Sequence, residues 1–114
     1  MYAAALAELG FSVLGEGKFE GDEYVLFGRD GSDDFSLHSV GSEPGRDRPT
    51  TGAHVAFTAS DAAAVDRWHR AALRHGATDN GPPGERPEYS GDYYAAFVLD
   101  FEGNNIEAVF HTPQ

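Results

Sequence analysis

The feature that most constrains the fold is an internal repeat. A helical pattern that stops at a glycine and continues into strand patterns occurs twice, once around Gly10 and once around Gly76. The second copy reads strand–helix–strand–strand–strand, and the first copy has this order without the leading strand. Because such a repeat marks one unit used twice, the sequence predicts an α+β fold. We expect a single domain over 1–114, with module one at about 1–45 and module two at about 51–112.

Two helices are predicted from the spacing of apolar residues. The first covers 2–9, and Gly10 fits its C-cap. The second covers 60–75, with Ser60 as its N-cap and an apolar stripe that faces the core. That stripe consists of Val65, Trp68 and Ala72. His69 and His75 are expected on the solvent side of this helix.

The strands follow from alternation and from turn residues. They are predicted over 11–14, 23–28, 35–40, 53–57, 93–99 and 105–110, with turns over 16–22 and 29–34. The segment 77–88 is predicted to be a loop, or an irregular strand followed by a loop, because its three prolines cannot pair regularly. The stretch 41–51, rich in Pro, Gly and charge, is predicted to link the two halves.

Glu107 is the residue that fits its surroundings least well. Ile106, Ala108 and Phe110 give the last strand one apolar face, and Glu107 lies mid-strand on the other face. A carboxylate in that position needs a cation, a hydrogen-bond donor or water. The pattern therefore allows two interpretations, a functional site or an ordinary sheet whose second face is wet.

Composition excludes several classes of function. The 114 residues are 40% hydrophobic, carry a net charge of −11 and include no cysteine. The acidic balance argues against binding to nucleic acid or to anionic membranes. No apolar run approaches the roughly 20 residues of a membrane span, and the start lacks the basic region of a signal peptide. We expect a cytoplasmic protein without disulfides or thiolate metal sites.

The organisation resembles the vicinal oxygen chelate superfamily, which includes glyoxalase I, bleomycin-resistance proteins, fosfomycin-resistance enzymes and extradiol dioxygenases. The resemblance lies in AHVAF (53–57), in the helix with Gly76, and above all in DFEGNNIEAVF (100–110). That last segment is similar to the closing strand of the superfamily, with Phe101 where a proline is usual. The resemblance implies two βαβββ modules that form a cupped mixed sheet, the first lacking its leading strand.

The resemblance also implies a set of metal ligands. Superfamily members typically take one ligand from the first and one from the last strand of each module. His54 and Glu107 match these positions in module two. In module one Ser36 aligns with Glu107 but is a poor ligand, so His38 on the same face is the alternative. Two histidines and a carboxylate suit Zn, Ni, Mn or Fe(II), yet many members of this fold bind a ligand without metal, and both outcomes stay open.

Five further residues are candidates for binding a small molecule. Tyr89 and Tyr94, together with Tyr93, offer an apolar ring with a polar tip. Arg86 lies in a loop that is placed to cover the mouth of the cup and to hold a carboxylate or phosphate. Trp68 is retained as a ligand candidate, although its spacing is that of a residue that packs the helix onto the sheet.

Three functions are consistent with these residues. One is a glyoxalase- or dioxygenase-like enzyme for a small molecule, with Glu107 as the catalytic residue. Another is a non-catalytic protein that sequesters a small ligand, and a third is a scaffold without a site. The missing leading strand would leave a sheet edge exposed, which favours a homodimer.

Overall fold

The computed structural model describes residues 1–19, 22–40 and 48–111. It contains two helices and seven strands in these ranges, and the predicted α+β class is confirmed. The elements are α1 (Tyr2–Ala7), β1 (Ser12–Phe19), β2 (Asp22–Arg29), β3 (Ser32–His38), β4 (His54–Thr58), α2 (Ala62–Arg74), β5 (Thr78–Glu85), β6 (Tyr93–Leu99) and β7 (Asn105–His111). No helix among them is long and apolar enough to cross a membrane.

Module one forms an antiparallel sheet in the order β1-β2-β3. A tight turn joins β2 to β3, with Asp30 at φ 55° and Gly31 at φ 80°. Two consecutive positive φ angles define the hairpin turn that matches strand twist, and Asp-Gly is a preferred pair for it. The predicted turn over 29–34 is therefore shorter than expected, and β3 begins at Ser32 rather than at residue 35.

The predicted end of the first strand at residue 14 is wrong. β1 continues to Phe19 because its glycine-rich half still pairs with β2, with Glu16 opposite Val25 and Gly17 opposite Tyr24. At Gly17 a Cβ atom would lie 2.8 Å from the Tyr24 hydroxyl oxygen, so the glycine makes room for that side chain. Residues 41–47 of the predicted linker lie outside the described ranges, and 48–51 form neither helix nor strand.

Module two forms a mixed sheet in the order β4-β7-β6-β5. β4 and β7 run parallel, with His54 opposite Asn105 and Ala56 opposite Glu107. β6 and β7 form an antiparallel hairpin in which Phe97 lies opposite Glu107. Opposed residues share a face of a sheet, so this register decides which side chains surround Glu107.

α2 covers one face of this second sheet. Its N-cap is Asp61, whose carboxylate accepts a 2.7 Å hydrogen bond from the Ala64 amide, and the prediction of Ser60 was wrong by one residue. The predicted stripe is confirmed, because Val65, Trp68 and Ala72 are all buried in the core. They pack with α1 residues and with Ile106 and Ala108 of β7.

The prediction that His69 faces solvent is also wrong. His69 is 8% exposed, and its Nε2 lies 2.9 Å from a carboxylate oxygen of Asp79 on β5. His69 follows Trp68 on the helix and so flanks the buried stripe, and the Asp79 carboxylate gives its ring nitrogen a partner there. His75 ends the helix and is exposed, as expected.

β5 runs through two of the prolines that were expected to prevent pairing. It lies at the edge of the sheet, where proline is tolerated. Its pairs with β6 jump from Gly81–Phe97 to Gly84–Ala95, which leaves Pro82 and Pro83 in a bulge between them. The irregular-strand alternative for this segment is thus the correct one.

Candidate functional site

Glu107 is buried on the face of β7 opposite α2. It is 1% exposed, which excludes the interpretation of a wet second face. Its neighbours on this face are Ala95, Phe97 and Val109, a small apolar cluster separate from the main core. A carboxylate in such surroundings costs several kcal/mol in lost hydration unless hydrogen bonds replace the water, and the next residues supply those bonds.

His54 provides the first of these hydrogen bonds. Its Nε2 lies 2.7 Å from Glu107 Oε1. The parallel pairing of β4 with β7 brings the two side chains to the same face. The His54 side chain is 55% exposed whereas that of Glu107 is 2% exposed. The pair therefore joins a buried carboxylate to an imidazole that solvent and a ligand can reach.

Tyr93 provides the second bond, because its hydroxyl donates to Glu107 Oε2. Burial first, and then the hydrogen bond and the charge of Glu107, raise the pKa of Tyr93 well above its usual value. The phenol therefore remains a donor at any physiological pH. A carboxylate that accepts from Tyr93 on one oxygen leaves its other oxygen to accept from His54 Nε2–H, which makes Nδ1 the ring nitrogen with the free lone pair.

His111 and Asp92 lie beside Tyr93 at the end of the hairpin. The rings of Tyr93 and His111 meet edge to face with centroids 5.3 Å apart. His111 Nδ1 is 3.5 Å from a carboxylate oxygen of Asp92, and the Ser90 hydroxyl donates to the other oxygen of Asp92 at 2.5 Å. The hydrogen bond from Ser90 is the largest of the causes that lower the pKa of Asp92.

An open cavity of about 350 Å³ lies next to the His54–Glu107 pair. Its walls come from β4, β5, β6, β7 and the loop after β5. The lining residues are His54, Asn80, Gly81, Arg86, Tyr89, Phe97 and Asn105. This volume is at the lower end of the roughly 300–1,000 Å³ typical of small-molecule sites, so the cavity suits a small ligand.

Two hydrogen bonds position Arg86 at the wall of this cavity. Its two terminal nitrogens donate to the Pro82 carbonyl at 2.6 Å and to the Glu85 carbonyl at 3.3 Å. The guanidinium carbon lies 5.4 Å from the centroid of the Phe97 ring. At Gly81 and Gly84 a Cβ atom would approach these nitrogens to 3.3 and 3.1 Å, so the two glycines let the side chain lie flat against β5.

The family model described as Glyoxalase/Bleomycin resistance protein/Dioxygenase superfamily matches residues 7–108. The chain belongs to this superfamily. A comparison with curated proteins gives no match.

Solved structures of the superfamily share the fold. A glyoxalase/bleomycin resistance protein from Albidiferax ferrireducens T118 is 26% identical, with a TM-score of 0.68 over 96% of this chain and 83% of that one. A glyoxylase/bleomycin resistance protein/dioxygenase domain from Frankia sp. EAN1pec is 18% identical, with a TM-score of 0.64 over 96% and 83%. Glyoxalase I from Zea mays is 19% identical, with a TM-score of 0.64 over 99% of this chain and 39% of that one.

The structure brings some of the candidate residues together and places others elsewhere. His54 and Glu107 are in contact, and Arg86 and Tyr89 line the adjoining cavity. Tyr94 lies on the opposite face of β6, where its hydroxyl donates to Asp66 of α2 at 2.7 Å. Trp68 is also on that side, 1% exposed in the core.

His38 lies apart from the predicted ligand pair. Its Nε2 is 3.0 Å from the Ser36 hydroxyl, and its ring centroid is 6.2 Å from that of Tyr24 in the sheet of module one. Among the described residues no group of three or more His, Asp or Glu side chains is placed to hold a metal. His54 and Glu107 supply two donors, whereas catalytic zinc sites use three protein ligands. The donor set of one chain therefore does not fit a complete superfamily metal site.

Sequence reasoning missed Tyr93 as the partner of Glu107 and missed Phe97, Asn80 and Asn105 as cavity residues. The signal was present in the hairpin. Counting back from the turn pairs Leu99 with Asn105 and Phe97 with Glu107, which assigns Tyr93 to the face of Glu107 and Tyr94 to the face of α2. The position of Asn80 could not be predicted, because it depends on the irregular pairing of β5 with β6.

Proposed function

We propose that this chain is a small-molecule enzyme of the glyoxalase type in which His54 transfers a proton. The observation that supports this proposal best is the 2.7 Å contact of His54 with the buried carboxylate of Glu107, at the edge of the cavity. Burial of a carboxylate is unfavourable, because the group loses its hydration. A buried carboxylate linked to a reachable imidazole is the arrangement expected at functional sites rather than in a core.

The proposed chemistry is proton abstraction next to a carbonyl group. Glu107, fixed by Tyr93, accepts the Nε2–H of His54 and so leaves Nδ1 as the base. The proton of the substrate carbon moves to Nδ1, and the electron pair of the C–H bond moves to the carbonyl oxygen as an enolate. For an α-hydroxy carbonyl substrate this enolate is an enediolate. The hydroxyl proton moves to the former carbonyl oxygen, and return of the Nδ1 proton to the former carbonyl carbon completes the isomerisation. The Arg86 guanidinium at the cavity wall is the available donor for the enolate oxygen.

A second candidate is a non-catalytic protein that sequesters a small ligand. It is favoured by the donor set, because the described residues group two metal-ligand side chains rather than three at the cavity. For either function we also propose a homodimer, since a second copy is a source of the groups that one chain lacks. A divalent metal held by His54 and Glu107 would then need its further ligands from a substrate, water or the partner.

The exchange of carbon-bound hydrogen tests the enzyme proposal. The protein is incubated in D₂O with a panel of small α-hydroxy ketones and aldehydes, and deuterium incorporation is followed by NMR. His54→Gln should lower the exchange rate at least about 100-fold, because a positioned base contributes roughly 10²–10⁴ to a rate. His75→Gln is the matched control, since His75 is exposed at the end of α2, and its rate should equal that of the wild type.

Three outcomes would contradict the proposal in different ways. Equal exchange in wild type and His54→Gln would remove His54 from the chemistry. Binding of panel compounds without exchange would favour the sequestering protein. Exchange that appears only after loading with zinc, nickel, manganese or iron, and that is lost in Glu107→Ala, would replace the metal-free base with a metal-dependent mechanism.

A further inference from the structure

The charge of the cavity is opposite to that of the chain. The protein carries a net charge of −11, yet among the described residues those that line the cavity include one arginine, one histidine and no carboxylate. The nearest buried carboxylate, Glu107, already accepts hydrogen bonds on both oxygens from His54 and Tyr93. A ligand in the cavity therefore meets positive charge and hydrogen-bond donors on an otherwise acidic protein.

Arg86 has donors to spare for such a ligand. Two of the five N–H groups of a guanidinium are used on the carbonyls of Pro82 and Glu85. Within the described ranges no carboxylate forms an ion pair with Arg86, in contrast to Arg67, which pairs with Glu8 at 3.2 Å. A half-buried cation without a counter-ion gains more from an incoming anion than a solvated one does, because less water has to be displaced.

Two aromatic residues, Phe97 and Tyr89, also line the cavity. Phe97 is buried, with 7% of its surface exposed, whereas Tyr89 is 59% exposed. The Tyr89 ring stands edge-on to Phe97, with centroids 6.3 Å apart, and to Tyr93, with centroids 5.1 Å apart. A further planar ring can make the same offset or edge-to-face contacts with these side chains. Because Tyr89 is exposed, its ring offers such a ligand a second aromatic surface to contact.

We infer that the cavity binds a planar aromatic molecule carrying a single negative group, with the ring packed against the exposed surfaces of Phe97 and Tyr89 and the negative group on Arg86. This inference rests on the proposed small-molecule function of the same cavity and names the class of its ligand. A single charge is favoured because the cavity offers one permanent cation. The surrounding excess of acidic residues repels a polyanion such as a nucleotide.

Three probes of matched shape and different charge test the inference. They are 2-naphthoate, 2-naphthamide and 2-naphthylmethylammonium, and their dissociation constants are measured by calorimetry with ligand-observed NMR as a second readout. We expect the carboxylate to bind at least 10-fold more tightly than the amide, and the ammonium to bind most weakly. Arg86→Gln should remove this preference, because Gln retains polarity without charge. Arg70→Gln, at an exposed position of α2, is the matched control and should preserve it.

The outcomes separate the inference from the proposed function. Amide or ammonium binding as tight as that of naphthoate would overturn the charge assignment and leave a small-molecule cavity intact. Failure of all three probes to bind would overturn the aromatic site, and the proposed function would still stand or fall by the deuterium-exchange experiment. A naphthoate preference that survives Arg86→Gln would remove Arg86 as the anchor. 2-Naphthyl phosphate, which keeps the ring and is mainly a dianion at about pH 7.5, should bind more weakly than naphthoate, and tighter binding would contradict the single-charge argument.

Discussion

Asp100 is the residue that ties the closing hairpin to both modules. It is 8% exposed and accepts hydrogen bonds from the Tyr2 hydroxyl at 2.5 Å and from the amides of Glu102 and Asn104 at 3.0 and 2.9 Å. Asn104 in turn accepts from the Ala53 amide at 3.0 Å. The superfamily motif in this turn is therefore structural, since it positions the start of β4 and hence His54.

The pKa of Asp100 leads to a prediction about stability at low pH. Burial raises this pKa, but the hydrogen bonds from Tyr2, Asn104 and Glu102 outweigh burial and hold it below the usual value. A lowered folded pKa adds stability that is complete above the unfolded value of about 3.9 and is lost as pH falls through the folded pKa. Asp100→Asn should lower the free energy of unfolding at pH 7 by about 1–3 kcal/mol.

Urea unfolding between pH 2 and pH 7 measures this effect. The deficit of Asp100→Asn against the wild type should shrink as pH falls below about 4, because the wild-type carboxylate then gains a proton too. Asp33→Asn is the control, at an exposed position of β3. A deficit that is constant over the whole pH range would show that lost packing, rather than the charge of Asp100, causes it.

At the scale of elements, the sequence was informative where local chemistry decides structure. The Asp-Gly turn after β2, the stripe of α2 and the two faces of β7 follow from turn residues and periodicity. The path of β5 does not follow from local chemistry. A strand that contains two prolines forms here only because it pairs with β6. The burial of His69 could not be predicted from the helix pattern either, since its partner Asp79 belongs to β5.

The contact between His69 and Asp79 should stabilise β5 against local opening. The Asp79 carboxylate accepts from the Gly81 amide at 3.0 Å and contacts His69 at 2.9 Å, and these bonds, the one from Gly81 first, lower the pKa of Asp79. Asp79→Ala should accelerate amide hydrogen exchange along Thr78–Glu85 by about 5–10-fold.

Native-state exchange followed by NMR checks this expectation, with Asp33→Ala as the control on the other sheet. Amides of β2 should keep their wild-type rates in both variants. Uniform acceleration over the whole protein in Asp79→Ala would contradict a local role. Because β5 carries Asn80 and Gly81 of the cavity, a local effect should also weaken ligand binding.

At the scale of the whole molecule, the two sheets meet without pairing. In the described ranges β3 pairs with β2 alone and β4 pairs with β7 alone, so each keeps one free edge. The Phe35 and Phe57 rings, one from each of these strands, contact edge to face with centroids 5.0 Å apart. The radius of gyration is 15.0 Å, larger than the about 13 Å of a compact domain of this length.

From the sequence, only those contacts of the site that form within one module can be predicted. His54 and Glu107 belong to the same module and are joined by the pairing of β4 with β7, so a motif located both. The third proposed ligand, His38, belongs to the other module, and its distance from them depends on how the two sheets are arranged. No periodicity within either half carries that information, which is why the metal set was the weakest part of the prediction.

The free edges of β3 and β4 argue for the homodimer, because unpaired edges recruit further strands. Sedimentation at 10–100 μM, a range chosen to cover the about micromolar affinities of modest interfaces, should show a dimer. Amides on the free edge of β4 (His54–Thr58) should exchange more slowly as the protein concentration rises, since pairing protects them. A monomer over the whole range, with exchange at β4 independent of concentration, would contradict strand pairing between copies and would leave the His54–Glu107 pair without further ligands from a partner.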